Sequence, residues 1–68
     1  MTADEWIASF AAKLNTEPPS EEVTGQLLDL AATAAHNSER IAAPIACFLV
    51  GVTGASLEDA RAAAEKIG

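Results

Sequence analysis

The chain has 68 residues, a formal net charge of −6 and one cysteine. This length makes residues 1–68 a single small domain, which buries only about 60% of the surface that its unfolded chain exposes. One cysteine excludes an internal disulfide and the common four-ligand zinc sites. The acidic balance argues against binding to nucleic acid or to an anionic membrane, and favours a basic protein partner.

The first predicted helix covers roughly residues 3–14. Thr2 and Glu5 have the spacing of a capping box, in which each side chain bonds the other residue's backbone N–H. Apolar residues then recur at helical intervals and predict an amphipathic helix: Trp6, Ile7, Phe10, Ala11 and Leu14. We expect Trp6 to pack in the core, and an exposed Trp6 that anchors a partner is the alternative.

The second predicted helix follows two prolines and is capped by Ser20. Its apolar face is formed by Val23, Leu27, Leu30, Ala31 and Ala34. We expect it to end between His36 and Ala43, because Asn37 and Ser38 are poor helix formers and Pro44 disfavours helix in the residue before it. One long kinked helix over residues 21–52 is the alternative.

The third predicted helix, about 43–53, lies in a stretch from Ile41 to Leu57 that contains no charged residue. Its large apolar side chains share one face: Ile45, Phe48, Leu49 and Val52. A helix that is apolar on nearly all sides is usually buried, so we expect the third helix to form the core. Cys47 is then a small buried apolar residue, and Phe48→Ala should be among the most damaging changes.

The last predicted helix covers roughly residues 57–67. Gly54 can take the left-handed position that ends the third helix, and Ser56 with Asp59 has the spacing of an N-terminal cap. Leu57, Ala60, Ala64 and Ile67 form its apolar face. The predicted fold is therefore all-α, a compact bundle of four short helices packed around a buried, uncharged third helix.

The sequence favours neither a signal peptide nor a membrane span. Asp4 and Glu5 stand where a signal peptide carries positive charge. The uncharged stretch is shorter than the roughly 20 residues of a membrane span, and Pro44, Gly51 and Gly54 interrupt it. We expect a soluble, cytoplasmic protein.

The residues best suited to hold a ligand or partner are His36, Glu39 and Arg40. A histidine and an arginine four residues apart share a face if the helix continues that far. A structural role is the alternative, with Arg40 paired to Glu39 or Asp29 at the end of the second helix. With one histidine, one cysteine and no tyrosine, we expect no catalytic site, no metal site and no cofactor.

Several segments of the chain resemble a short actinobacterial domain of unknown function. They are Trp6-Ile7, Leu27-Leu28-Asp29-Leu30-Ala31, Ala35-His36, Glu39-Arg40, Ala42-Ala43-Pro44-Ile45 and Phe48-Leu49-Val50-Gly51. The family occurs alone or attached to nucleotidyltransferases similar to molybdenum-cofactor guanylyltransferase. The resemblance implies an all-helical accessory domain near cofactor or nucleotide chemistry, and it carries over no catalytic or binding residue.

Together these observations predict a small non-catalytic interaction or accessory module. Its candidate partner is a nucleotidyltransferase or another basic protein. Two alternatives remain open: a domain that binds an anionic small molecule through His36 and Arg40, and a structural domain that self-associates as a homodimer.

Overall fold

Polar caps and a glycine divide this chain into helices. The computed structural model describes residues 1–67. In chain order the helices are α1 Ala3–Lys13, α2 Glu21–Asn37, α3 Ala42–Thr53 and α4 Leu57–Glu65. No strand occurs within the described residues. The predicted all-α class and compact four-helix architecture are confirmed. Helices α1 and α4 end slightly before the predicted positions.

Three of the helices begin with the side-chain caps that the sequence predicts. Glu5 N donates to Thr2 Oγ1 at 3.1 Å, and Thr2 N donates to Glu5 Oε1 at 2.7 Å, which completes the capping box of α1. The Ser20 and Ser56 hydroxyls each accept from the backbone N–H three residues later, at 3.2 and 3.1 Å. Each cap satisfies an N–H that has no partner inside its helix.

Helices α2 and α3 are separate, so the kinked-helix alternative is wrong. Ser38 leaves the helical conformation with φ −145° and ψ −104°, and its hydroxyl donates to the Ala34 carbonyl oxygen at 2.7 Å. Ala42 N then donates to the Glu39 carbonyl oxygen at 2.9 Å and closes the turn before α3. At the other end of α3, Gly54 takes the predicted left-handed conformation with φ 72°.

The packing centre of the fold is α2. Both α3 and α4 pack against it, and Leu30 of α2 is only 3% exposed. Helix α3 returns along α2, where Cys47 Sγ lies 3.9 Å from the Leu27 carbonyl oxygen. Cys47 is half-buried at this contact. The thiol therefore packs between helices, as a small apolar side chain does.

The prediction that α3 is the buried centre of the bundle is wrong. No α3 residue is fully buried, and Phe48 is 65% exposed. The half-buried residues of α3 are mostly small, namely Ala42, Ala43, Ala46, Cys47 and Val50. Small side chains let two helices approach closely, so α3 packs through its alanine face and turns its large apolar face outward.

Helix α1 also departs from the prediction, because Trp6 is not in the core. Trp6 is 56% exposed, whereas Ala11 on the same helix is only 6% exposed. Ile7 is half-buried and lines an open cavity of ≈ 370 Å³ between α1 and the N-terminal half of α2. Most of the large apolar side chains of α1 are thus uncovered, since Trp6, Phe10 and Leu14 are each half or more exposed.

The molecule exposes more surface than a typical folded monomer of the same mass. Its accessible area is 5383 Å² for a chain of 7.0 kDa, against about 4,000 Å² for a typical folded monomer of that mass. The radius of gyration is 12.6 Å, against about 11 Å for this length. Part of the apolar surface is therefore exposed to solvent and is not packed against any other described part of the chain. None of the described helices is both long and apolar enough to cross a membrane.

Candidate functional site

His36, Glu39 and Arg40 are all exposed around the turn between α2 and α3. His36 lies in the last turn of α2, and the break at Ser38 means that Arg40 does not continue the same helical face. Glu39 borders an open groove that Ile41, Pro44 and Ile45 also line. Neither His36 nor Arg40 lines that groove. The three residues stay a predicted ligand or partner surface, and of the three only Glu39 borders the apolar concavity.

The structural alternative placed Arg40 against an acid at the end of α2. That end carries a different hydrogen bond, from the Ser38 hydroxyl to Ala34. None of the side-chain hydrogen bonds within residues 1–67 involves Arg40. Arg40 is exposed, and the described residues show no pairing of its guanidinium at the end of α2.

The side chains that commonly bind metal ions do not cluster within residues 1–67. The described residues contain no group of three or more His, Cys, Asp or Glu side chains placed to hold a metal ion. They also contain no buried polar or charged residue, and no buried side-chain nitrogen or oxygen without a partner. The surface features that remain are apolar.

The first apolar feature is the α1 aromatic surface, which we define as Trp6 and Phe10. The two rings are stacked, with centroids 5.1 Å apart and planes inclined by 25°. Phe10 is 50% exposed, and Ser9 and Lys13 border the pair. Asp4 and Glu5 lie in the first turn of the same helix. The α1 aromatic surface is therefore a stacked, half-exposed pair of rings bordered by one hydroxyl group and one cation.

The second feature is the α3 apolar surface, which lies on the outward face of α3. It consists of Ile41, Ile45, Phe48, Leu49 and Val52, each more than half exposed. Ile45 and Leu49 also form one wall of an apolar groove of ≈ 300 Å³ that Leu30, Ala34 and Ala64 help to line. The surface is therefore a row of large side chains beside the groove between α2, α3 and α4.

Sequence reasoning assigned both surfaces to the core and gave an exposed Trp6 only as the alternative. The signal that could have corrected it is the size of the apolar stripes compared with the length of the chain. A chain of 68 residues has too few helices to cover a wide stripe on α1 and a helix that is apolar on all sides. In this structure the alanine-rich face of α3 packs inward, and its large residues are left outside.

Comparison with curated proteins and with solved structures gives no match. One protein family does match, and it covers residues 1–68. The chain therefore belongs to the family described as Domain of unknown function (DUF6457).

Proposed function

We propose that the protein is a small non-catalytic interaction module, which docks onto a basic protein partner through the α1 aromatic surface. The observation that carries the proposal is the stacked Trp6–Phe10 pair, about half exposed on a capped helix. Aromatic side chains contribute strongly to protein interfaces, because they bury a large area with little loss of conformational freedom.

Charge supports a basic partner. The first two helices and their linker carry Asp4, Glu5, Glu17, Glu21, Glu22 and Asp29, with Lys13 as the only lysine or arginine. Asp4 and Glu5 are exposed in the first turn of α1, and Lys13 borders the aromatic pair itself. An interface with an apolar centre and a charged rim gains association rate and specificity from that rim. The complementary surface would be an apolar pocket bordered by Lys or Arg.

The partner class that we propose is a nucleotidyltransferase similar to molybdenum-cofactor guanylyltransferase. This comes from the family resemblance of the sequence, in which the domain occurs alone or attached to such enzymes. Within this proposal the protein acts in the cytoplasm, holds no cofactor of its own and takes no part in the reaction. It would position or stabilise the enzyme by contact.

Calorimetric titration of the chain with the nucleotidyltransferase of the same organism tests the proposal. We expect binding, and Phe10→Glu should weaken it at least about 30-fold, which corresponds to a hot-spot residue. Raising the salt concentration should also weaken binding, because the charged rim is exposed to solvent.

Phe48→Glu is the matched control, since it makes the same substitution at an exposed phenylalanine on a different helix. Its affinity for the enzyme should equal that of the unsubstituted chain. Absence of binding by the unsubstituted chain, or full affinity of Phe10→Glu, would show that the proposal is wrong.

A second candidate function is an anion-binding site at His36, Glu39 and Arg40. Exposure of Arg40 favours it, because a guanidinium offers a fixed fork of donors to phosphate or carboxylate. Titration with phosphate and with GTP, followed by NMR, tests it. Chemical-shift changes clustered on residues 36–44 and lost in Arg40→Ala would support the site, and a flat response would remove it.

A further inference from the structure

The α3 apolar surface has the residue spacing of a helix–helix seam. Ile41, Ile45, Phe48 and Val52 follow one another at intervals of four, three and four residues. This alternation keeps apolar side chains on one line of a helix and is typical of helices that pair along their length. We propose that a second copy of this chain covers the surface, so that two α3 helices meet across a two-fold axis. The proposal goes beyond the function above, because it uses a different helix and a different partner.

The exposed area fits a dimer. The chain exposes 5383 Å², which is about 1,300 Å² more than a typical folded monomer of its mass. A standard protein–protein interface buries about 800 Å² on each partner. The excess area is therefore large enough for one such interface.

Charge indicates where two copies can meet. Each chain carries a net charge of −6, so two copies repel each other over most of their surfaces. No charged residue occurs from Ile41 to Leu57, and α3 lies wholly inside this stretch. Contact through α3 brings apolar surfaces together and keeps the acids of α1 and α2 outside the interface. In a two-fold arrangement the same surface serves both copies, so no second complementary patch is needed.

The groove beside α3 can receive large side chains of the second copy. Its lining includes Ile45, Leu49, Leu30 and Ala34. The groove is almost entirely apolar and is open to solvent in the single chain. Large side chains packed into holes between facing residues give helix pairs a fixed register.

Sedimentation equilibrium and light scattering test the proposal on the unsubstituted chain. We expect a concentration-dependent change between the 7.0 kDa chain mass and twice that mass. The measurement should extend from about 1 µM to about 1 mM, which covers tight to weak dimers. A chain that stays monomeric throughout this range overturns the proposal, and so does association that continues beyond two copies.

Phe48→Glu locates the interface. Two carboxylates buried across the seam should weaken the dimer at least about 100-fold. Phe10→Glu is the matched control and should leave the dimer unchanged, because it alters the α1 aromatic surface by the same substitution. The reverse result, with the dimer lost in Phe10→Glu and kept in Phe48→Glu, overturns the assignment to α3.

A mixing experiment distinguishes loss of the dimer contact in Phe48→Glu from loss of folding. Phe48→Glu and Phe48→Lys should each be monomeric alone, and an equal mixture should form a heterodimer because the interface then contains opposite charges. No heterodimer from two chains that are both helical by circular dichroism overturns the proposal. The enzyme titration has its own readout, in which Phe10→Glu is the sensitive variant, so the two proposals fail separately.

Discussion

Two leucines of α2 show how differently the same side chain is placed in this fold. Leu30 is 3% exposed and contributes to the contact among α2, α3 and α4. Leu28, two residues earlier on the same helix, is 65% exposed. Since hydrophobic stabilisation follows the apolar area removed from water, the two residues should differ greatly in their contribution to stability.

Leu30→Ala should therefore lower the free energy of unfolding by about 2–5 kcal/mol, as removal of a buried leucine side chain usually does. Leu28→Ala is the matched control and should change it by less than about 0.5 kcal/mol. Urea denaturation followed by circular dichroism measures both. Equal destabilisation by the two substitutions would contradict the packing described for α2.

The Phe48→Ala prediction made from the sequence changes with the structure. A phenylalanine that is 65% exposed loses little burial within its own chain when it is truncated. We therefore expect Phe48→Ala to have a small effect on unfolding at concentrations where the chain is monomeric. The substitution should have a larger effect on association, which the same unfolding experiment detects as a dependence on protein concentration.

At the scale of whole helices, the starts and stops were predictable because they depend on neighbouring residues. A hydroxyl three residues before a backbone N–H, or a glycine after an apolar run, acts over one turn. Thr2, Ser20, Ser56 and Gly54 all act as the sequence predicts. The start of α3 at Ala42 has no side-chain cap, and its position was predicted only approximately.

The face through which a helix packs was less predictable. In α1 and α2 the apolar stripe restricts the choice, but in α3 apolar residues occur on every side. Which side meets α2 is then decided by closeness of approach, which depends on the partner helix as well as on α3 itself. For the same reason the sequence placed the large residues of α3 in the core. It directed attention to His36, Glu39 and Arg40, and in α1 it gave an exposed Trp6 only as the alternative.

Substitution of Gly54 and Gly25 by alanine tests two assignments, the end of α3 at Gly54 and the regular helix around Gly25 in α2. Gly54→Ala should destabilise the protein by about 1–2 kcal/mol, because its φ of 72° is unfavourable for a residue with a Cβ atom. Gly25 lies inside α2, where a Cβ atom would meet no neighbouring side chain within 4 Å. Gly25→Ala should therefore stabilise the protein by about 0.5–1 kcal/mol.

Thermal unfolding of the two variants measures whether each substitution raises or lowers the stability of the protein. A melting temperature that rises for Gly25→Ala and falls for Gly54→Ala would support the helical environment of Gly25 inside α2 and the assigned end of α3. A fall for both would mean that Gly25 is not in a regular helical environment.

At the scale of the whole molecule, charge and apolar surface are separated along the chain. Most acids lie in α1, α2 and the linker between them, whereas α3 has none. This separation lets the protein keep a net charge of −6 for solubility while one helix presents an uncharged face. The two proposals each use one of these regions.

The same charge distribution predicts that the protein does not bind nucleic acid. Without a basic patch it cannot neutralise phosphates or release their counterions. We expect no gel shift of a random DNA duplex at micromolar protein and about 150 mM salt, where non-specific binding is already weak. A shift under these conditions that disappears at higher salt would contradict the charge argument.

The exposed Trp6 has a spectroscopic consequence, since it is the only tryptophan in the chain. An indole that is about half exposed to solvent in the folded protein should emit at nearly the same wavelength in the folded and the unfolded protein. Covering the α1 aromatic surface would instead move the emission to shorter wavelength. The intrinsic fluorescence of this protein should thus be a poor indicator of its folding and a direct signal of what docks on α1.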